Sequence, residues 1–287
     1  MPFCTARKRC TQSIPVKRIG RLPVSEQTLN SLQNEDFPGL YGKIPSLGDF
    51  VTRRLPRGFI APWETWMQEA IANSREQLGD FWLDNYLTSP MWRFALSPGI
   101  CGEQGWAGIL MPSVDRVGRY YPFTLAAKLD PKFNLFLFME ESESWFARLE
   151  ELALSCLEDD FQMDALEQQL RQLGAPTAER EELSHPDAPV TPLNNAWHAQ
   201  LQEQSALRGL YPLFMPHLMK KLLFAYSIWW TQGSERISPS LLICQGLPQI
   251  RGASALIDGA WTEHGWEEIE TGAYSMGFAT SETPESL

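Results

Sequence analysis

Residues 91–129 read MWRFALSPGICGEQGWAGILMPSVDRVGRYYPFTLAAKL, and they contain the clearest strand pattern of the chain. Three parts of it, residues 92–96, 106–111 and 121–128, are short apolar or alternating runs bounded by Pro and Gly. Runs of this kind are typical of β-strands. Because the links between them are short, we expect the three strands to be antiparallel neighbours.

Helical periodicity flanks these strands on both sides. From Phe59 onward, apolar residues recur at steps of three and four, which predicts an amphipathic helix over residues 61–78. Pro62 suits a first helical turn, and Gly79 stands where a helix C-cap is expected. Further helices are predicted at residues 81–87, 143–157, 165–173, 195–207, 216–224 and 253–259.

More strands are predicted at residues 37–43, 226–230 and 241–245, and residues 134–139 fit either another strand or a lead-in. The chain thus has at least six strands and six helices, and runs of strands are separated by helical segments. This order predicts an α+β fold with a mainly antiparallel sheet flanked by helices. The late strands are too few to form their own core, so we expect them to join the first sheet in a single domain.

The charge is unevenly distributed along the chain. Residues 1–35 carry a net charge of +4 and lack hydrophobic periodicity, which predicts a flexible basic arm. A mis-assigned translation start would give the same pattern. We expect the folded domain to span residues 36–262 and an acidic tail to span residues 263–287.

The net charge of the chain is −11, and its isoelectric point is about 4.9. A field of this sign repels phosphate backbones and anionic lipid, so nucleic acid is not expected as a partner. The basic arm lacks the apolar run of a signal peptide. The most apolar later stretch, residues 218–230, contains Lys220 and Lys221 and is too short to span a bilayer. We therefore expect a soluble protein without membrane insertion.

Cysteine and histidine usage gives no sign of a disulfide framework or a metal site. The five cysteines form an odd set without a CxxC motif, and the four histidines are scattered. Neither pattern has the spacing of zinc ligands. A reducing cytoplasm fits this composition.

The segment between the second and third strands of the opening stretch concentrates charge. Asp115, Arg116 and Arg119 lie there, and Gly118 gives the backbone the freedom that a tight loop needs. One interpretation is structural, with these charges pairing with one another or with Asp49 and Arg93 at the edge of the sheet. The other is that Arg116 or Arg119 contacts an acidic or phosphorylated residue of a partner.

Catalysis has little support in the same residues. Ser113 has no nearby His, and its surroundings lack the Gly-x-Ser-x-Gly elbow that exposes a nucleophile. The carboxylates Asp49, Asp84 and Asp115 show no metal-ligand spacing. Because no Gly-rich phosphate-binding pattern occurs either, we expect a non-catalytic protein without metal or cofactor.

Adjacent tryptophans in the strand predicted at residues 226–230 present a second open question. Side chains alternate between the two faces of a strand, so Trp229 and Trp230 point in opposite directions. At most one of them can enter a one-sided core. The other faces solvent, a second layer of helices or a partner.

Several motifs together resemble the TagF family, also called ImpM. The most specific is PSVDRVGRYYP at residues 112–122, which includes Ser113 and Tyr120. The other motifs are YGKIP at residues 41–45, GDFV at 48–51, Trp63 with Trp66, YL through PMWRF at 86–94, SIWWT at 227–231 and GLP at 246–248. The similarity covers about residues 37–262.

The resemblance implies a cytoplasmic, post-translational negative regulator of bacterial type VI secretion. It implies binding to the forkhead-associated scaffold protein of that system, usually alongside a Thr kinase and phosphatase pathway. The motif residues proposed for partner binding or structure are Asp49, Arg93, Ser113, Asp115, Arg116, Arg119 and Tyr120. The alternative is a hydrolase of the same pathway that uses a cluster of Asp49, Arg93, Asp115 and Arg116.

Overall fold

The computed structural model of the chain describes residues 37–130, 133–177 and 211–269. The predicted basic arm, the predicted helix at residues 195–207 and the part of the predicted acidic tail after residue 269 lie outside these ranges. The boundaries given above for arm, domain and tail therefore stay predictions.

Seven strands form one antiparallel sheet in the order β2-β1-β5-β4-β3-β6-β7. They are β1 Gly39–Gly42, β2 Val51–Arg53, β3 Trp92–Leu96, β4 Gly105–Met111, β5 Phe123–Leu129, β6 Tyr226–Thr231 and β7 Ser240–Gln245. The three strands of the opening stretch are neighbours, and the late strands join them through the pairing of β6 with β3. The predicted α+β fold with an antiparallel sheet is confirmed. Strand β2 was not predicted.

The helices lie on both faces of this sheet. They are α1 Arg57–Leu78, α2 Trp82–Thr88, α3 Leu135–Glu141, α4 Glu143–Ser155, α5 Met163–Leu173, α6 Tyr211–Leu223 and α7 Ala255–Asp258. Two 3₁₀ turns, Gly79–Phe81 and Ile250–Gly252, precede α2 and α7. Gly79 ends α1 with φ of +50°, as the sequence predicted.

Helix α1 covers one face of the sheet with large aromatic side chains. It begins at Arg57, earlier than predicted, because the buried Phe59 extends its apolar face by one turn. Trp63 lies at the centre of this layer, where its indole stacks on Trp229 with ring centroids 5.8 Å apart. The Trp63 indole N–H donates a hydrogen bond to the Thr124 hydroxyl over 3.0 Å, so its polar atom is satisfied inside the core.

Helices α3, α4 and α5 cover the opposite face, where they pack on the alternate residues of β4 and β5. Trp230 points to this side, and its ring meets Phe146 of α4 at a centroid distance of 4.8 Å. Trp229 and Trp230 thus enter two different helical layers. This arrangement resolves the question that the adjacent tryptophans raised, because both faces of the sheet carry helices.

Residues 134–139 form the start of a helix and not a fourth strand. The Asn134 side chain accepts hydrogen bonds from the backbone N–H groups of Phe136 and Leu137, at 3.0 and 3.4 Å. This is an N-cap, which supplies partners for N–H groups that the first turn of a helix leaves free. The apolar run that follows is compatible with either structure, so the cap decides it.

Candidate functional site

A tight loop joins β4 to β5 and contains the most specific motif of the sequence. Val114 and Tyr120 form an isolated bridge across its base, and the Gly118 N–H donates to the Asp115 carbonyl over 2.9 Å. Gly118 has φ of +83°, a conformation that glycine adopts without strain. The predicted role of Gly118 in a tight loop agrees with this geometry.

The Asp115 carboxylate lies at the centre of the loop and has no solvent exposure. Its Oδ1 accepts hydrogen bonds from the backbone N–H groups of Val117 and Arg119, at 3.0 and 2.8 Å. Its Oδ2 accepts from Lys43 Nζ at 2.5 Å and from Arg119 Nε at 2.6 Å. Four donors therefore satisfy one buried carboxylate, which fixes the shape of the loop around it.

These contacts also set the charge state of Asp115. Burial raises the pKa of a carboxyl group, but the hydrogen bonds from Lys43 and Arg119 and the N–H of Val117 outweigh it. The pKa of Asp115 is consequently well below its ordinary value. The carboxylate stays ionised at neutral pH, and the loop keeps the anion that organises it.

The loop is also tied to the segment that follows β1. The Ser113 hydroxyl donates to the Lys43 carbonyl over 2.8 Å, and Arg119 Nη2 donates to the Gly48 carbonyl over 2.6 Å. The Arg116 backbone N–H donates to the Leu47 carbonyl over 3.2 Å. Two stretches that are far apart in sequence are thereby held as one unit.

Aromatic side chains support the base of the loop. The Tyr86 hydroxyl donates to the Ser113 carbonyl over 2.9 Å and accepts from the Ser113 N–H over 3.0 Å. Tyr120 packs edge-on against Tyr86 and Trp82, with ring centroids 6.0 and 5.8 Å away. Ser113 is buried, and its polar groups serve this support, so the residue is not placed as an exposed nucleophile.

The exposed side chains of the two stretches include Asp49, Phe50, Arg116 and Val117, which we call the loop surface. Arg119 is exposed as well, but its guanidinium is bonded to Asp115 and Gly48. Phe50 and Val117 are 47% and 67% exposed, so the loop surface offers apolar as well as charged side chains. The Phe50 ring packs on Tyr121 at a centroid distance of 4.7 Å, which holds it in place. Within the described part of the chain, the side chains of Asp49 and Arg116 make no hydrogen bond or ion pair.

Arg93 lies elsewhere, on the face of β3 that meets α4, where it is almost fully buried. Its guanidinium donates to both oxygens of Glu150, at 2.7 and 2.9 Å, and to both oxygens of Glu143, at 2.5 and 3.1 Å. Burial lowers the pKa of Arg93, but the hydrogen bonds and charges of the two glutamates raise it above its ordinary value.

The structure therefore does not join Asp49, Arg93, Asp115 and Arg116, the cluster of the alternative hydrolase, into one bonded group. Arg93 is used between the sheet and α4, Asp115 is used by Lys43 and Arg119, and Asp49 is exposed. No hydrogen bond or ion pair in the described ranges joins Arg93 to any of the other three. Of the structural pairings that the sequence suggested, the one between Asp115 and Arg119 is present.

Three important charged residues were missed by sequence reasoning. Lys43 belongs to a quoted motif, and a lysine inside an apolar run was a signal that it has a buried partner. Glu143 and Glu150 lie on the same face of α4 as Phe146, because they are spaced three and four residues from it. Polar residues on the apolar face of a helix would have been the signal for the Arg93 pair.

An apolar cavity of about 70 Å³ lies between α1, α7 and the sheet. Trp66, Met67, Trp92 and Leu256 are among the residues that line it. Its volume is well below the roughly 300 Å³ typical of small-molecule sites. We therefore do not assign it a ligand.

Neither a metal-binding cluster nor a membrane-spanning helix occurs among the described residues. No group of His, Cys, Asp and Glu among them has the arrangement to hold a metal ion. No helix in the same part of the chain combines the length and apolar content needed to cross a bilayer.

Comparisons with known proteins point to one biological system. Residues 39–173 match a family model described as the TagF N-terminal domain, type VI secretion system-associated. The chain is also similar to the crystal structure of PA0076 from Pseudomonas aeruginosa PAO1, with 36% sequence identity and a TM-score of 0.66. That match covers 77% of this chain and 94% of the other. No curated protein sequence matches.

Proposed function

The chain belongs to the TagF family of type VI secretion system-associated proteins, and from that premise we propose that it is a non-catalytic, post-translational negative regulator of type VI secretion. In this proposal it binds the forkhead-associated scaffold protein of the system through the loop surface. It acts in the cytoplasm, alongside a Thr kinase and phosphatase pathway.

One observation carries the proposal: a buried, fully bonded carboxylate shapes a loop from which the exposed Arg116 side chain extends with no partner in the described ranges. Asp115 holds the loop from beneath, and Arg116 projects from it without an ion pair in the described ranges. A surface that is fixed before binding loses less conformational freedom when a partner arrives. Rigid loops that display free polar groups are common sites of recognition.

The chemistry of the loop surface indicates what the partner should present. The Arg116 guanidinium suits a carboxylate or a phosphorylated Thr, which it can bind with two hydrogen bonds. Phe50 and Val117 add an apolar contact beside it. The partner face should therefore combine an acidic or phosphorylated residue with an apolar one.

The first experiment uses the full chain as bait in extracts of cells that carry the secretion cluster, with mass spectrometry of the bound proteins. The forkhead-associated protein is expected among them. Deletion of the gene should raise secretion without changing transcript levels of the apparatus, and the parent gene should restore repression. Unchanged or lost secretion in the deletion strain would contradict a repressor.

A hydrolase function is not proposed, because the side chains named for it do not converge. Arg93 and Asp115 belong to separate ionic networks, and the Ser113 hydroxyl is used to hold the backbone of Lys43. No observation in the described ranges favours that second function.

A further inference from the structure

The two edges of the seven-stranded sheet differ in a way that the proposed function does not use. Strand β2, at one edge, is three residues long, and Arg53, Arg54 and Pro56 lie in or just after it. Short length, charge and proline are devices that prevent a free edge from pairing with other chains. Strand β7, at the other edge, follows directly after Pro239, but it is six residues long, reads SLLICQ and contains neither charge nor proline.

The direction of the backbone groups follows from the hydrogen bonds at the start of β6. The Tyr226 carbonyl accepts from the Ser97 N–H, and the Tyr226 N–H donates to the Ser97 hydroxyl, both over 2.9 Å. Both groups of Tyr226 therefore point toward β3. The preceding carbonyl, on Ala225, accepts from the Gly246 N–H over 3.0 Å and points toward β7.

In an antiparallel sheet, the backbone N–H and C=O groups of successive residues point alternately to the two sides of a strand. The directions found for β6 therefore fix those of β7. Every second residue of β6, starting at Ser227, turns its backbone groups to β7, and the register pairs these residues with Cys244, Leu242 and Ser240. The backbone N–H and C=O groups of Leu241, Ile243 and Gln245 must then point away from β6, toward the outside of the sheet. They have no hydrogen-bond partner in residues 37–130, 133–177 or 211–269, so this outer side of β7, which we call the open edge, is unpaired there.

A groove of about 210 Å³ runs along the open edge. Ile243, Cys244 and Gln245 form one wall, and the other is formed by residues 249, 251, 252 and 264–267, which include Arg251 and His264. The second wall is held in place, because the Trp266 indole N–H donates to the Gly252 carbonyl over 2.8 Å. Its ring also packs edge-on against Trp261 at a centroid distance of 5.5 Å. The groove is therefore a built feature with polar backbone groups along one side.

Apolar side chains accompany these backbone groups. Leu241 and Ile243 are 54% and 40% exposed, and the register places them opposite Trp230 and Ile228. They lie on the sheet face that α4 covers further in. An added strand would find hydrogen-bonding groups at the edge and an apolar strip beside it, which are the two elements of recognition by strand addition.

We propose that the open edge binds an extended segment of another protein, which adds to the sheet beside β7. The segment should carry apolar residues at alternate positions, facing Leu241 and Ile243, and should be neutral or basic. Charge supports this choice, because the exposed acids Glu267 and Glu268 outnumber the one arginine of the groove, Arg251, and the whole chain carries −11. The same charges oppose a second copy, which would bring two such acidic rims together.

This inference goes beyond the proposed function and does not rest on it. The open edge and the loop surface lie toward opposite ends of the strand order, since the loop contacts residues that follow β1 and the groove contacts β7. Each can therefore be tested while the other remains intact.

The first test measures hydrogen exchange of the free, full-length chain at several protein concentrations. The amides of Leu241, Ile243 and Gln245 should exchange rapidly, while those of Leu242 and Cys244 should be protected by β6. Protection of the first three at every concentration would show that the chain covers its own edge. Protection that grows with concentration would show a second copy. Either result would overturn the proposal.

The second test uses a phage-displayed library of random peptides of about ten residues as the probe. Selected peptides should show alternating apolar residues, few acids, and protection of the three outward amides when bound. Ile243→Pro should lower peptide affinity by about tenfold or more, because proline removes an outward N–H and leaves the pairing with β6 intact. Ile243→Val keeps the N–H and should bind like the parent.

Two controls keep this test decisive even if the proline variant folds poorly. Peptides methylated on alternate backbone nitrogens should lose binding to the parent protein in one register and keep it in the other. Arg116→Ala, on the loop surface, should leave peptide affinity unchanged. A failure to select any peptide, or equal binding by both methylated series, would overturn strand addition without affecting the proposed function.

Discussion

Two buried ionic networks lie in different parts of this molecule and use opposite signs of charge. In one, the cation Arg93 on β3 is buried and bonded to Glu143 and Glu150 of α4. In the other, the anion Asp115 is buried and bonded to Lys43 and Arg119. The first joins two layers of the core, whereas the second shapes a loop at the surface.

Buried charge thus serves two purposes in this molecule. A buried ion is costly unless its hydrogen bonds are satisfied, so both networks constrain their surroundings strongly. The Arg93 network fixes the position of helix α4 on the sheet. The Asp115 network holds a loop whose outer residues, among them Arg116, stay exposed, so only the second network lies directly beneath a candidate site.

The largest effect on stability is expected from Arg93→Ala. The change removes four hydrogen bonds and leaves Glu150, which is only 19% exposed, without its partner. Breaking a buried pair from one side typically costs about 3–5 kcal/mol. Chemical denaturation should show a loss of this size in the free energy of unfolding.

A matched control lies on α4, the helix that carries Glu143 and Glu150. Arg148 pairs with Glu151 of α4 at the surface, so Arg148→Ala should cost only about 0–1 kcal/mol. Arg93→Lys should fall between the two, because lysine keeps the charge but cannot donate to both oxygens of two carboxylates. If Arg93→Ala were as mild as Arg148→Ala, the network between the layers would not stabilise the fold.

A smaller and more local effect is expected from Asp115→Asn. The amide keeps one oxygen for the N–H groups of Val117 and Arg119, but it places an NH₂ group against the donors of Lys43 or Arg119. The loop can respond by opening locally, which limits the loss of global stability. The Val117 and Arg119 amides should exchange faster with solvent, and pull-down of the partner should weaken.

Asp49→Asn is the control for this experiment. It removes a carboxylate from an adjacent, exposed position that has no bonded partner within the described ranges. Exchange of the Val117 and Arg119 amides should not change in this variant. Equal exchange in parent and Asp115→Asn protein would mean that the buried carboxylate does not organise the loop.

The contribution of Asp115 should also depend on pH in a defined direction. Because the folded-state pKa is lowered, the stabilisation is complete above the unfolded value of about 4 and is lost as the pH falls below it. The difference in unfolding free energy between the parent and Asp115→Asn should therefore be constant near neutral pH and shrink in acid. The difference for Asp49→Asn serves as the baseline, and a pH-independent Asp115 difference would contradict the assignment.

Local patterns made much of the fold predictable. The strands at residues 92–96, 106–111 and 121–128 were recognisable because Pro and Gly separate short apolar runs, and β3, β4 and β5 match them closely. The prediction was ambiguous where one sequence pattern is compatible with both a strand and a helix. Residues 135–139 form a continuous apolar run that fits a strand or a helix, and the side chain of Asn134, which caps the first turn, shows that a helix begins there.

The sites were less predictable because their contacts are long-range. Lys43 and Asp115 are 72 residues apart, and Arg93 and Glu150 are 57 residues apart. Sequence reasoning identified Asp115 and Arg119 as a possible pair because they are neighbours in one loop. It placed Arg93 in the wrong network because charge alone does not tell which face of a strand a residue occupies.

The smallest effect on stability, together with a large effect on binding, is expected from Arg116→Ala. The sequence treated Arg116 and Arg119 alike, as two cations that either anchor a partner or support the fold. The structure separates their contacts: Arg119 bonds to Asp115 and to the Gly48 carbonyl, whereas the Arg116 side chain has no partner in the described ranges. Truncation of Arg116 should change the free energy of unfolding by less than about 0.5 kcal/mol.

Its effect on the partner should be much larger, because an arginine at the centre of an interface can contribute about 2 kcal/mol or more to binding. Thermal melts and partner pull-downs on Arg116→Ala, Arg119→Ala and the double variant decide the point. Arg119→Ala should lower both stability and binding, since it loosens the loop that carries Arg116. An Arg116→Ala protein that folds and binds like the parent would remove the loop surface from the interface, even if the chain still represses secretion.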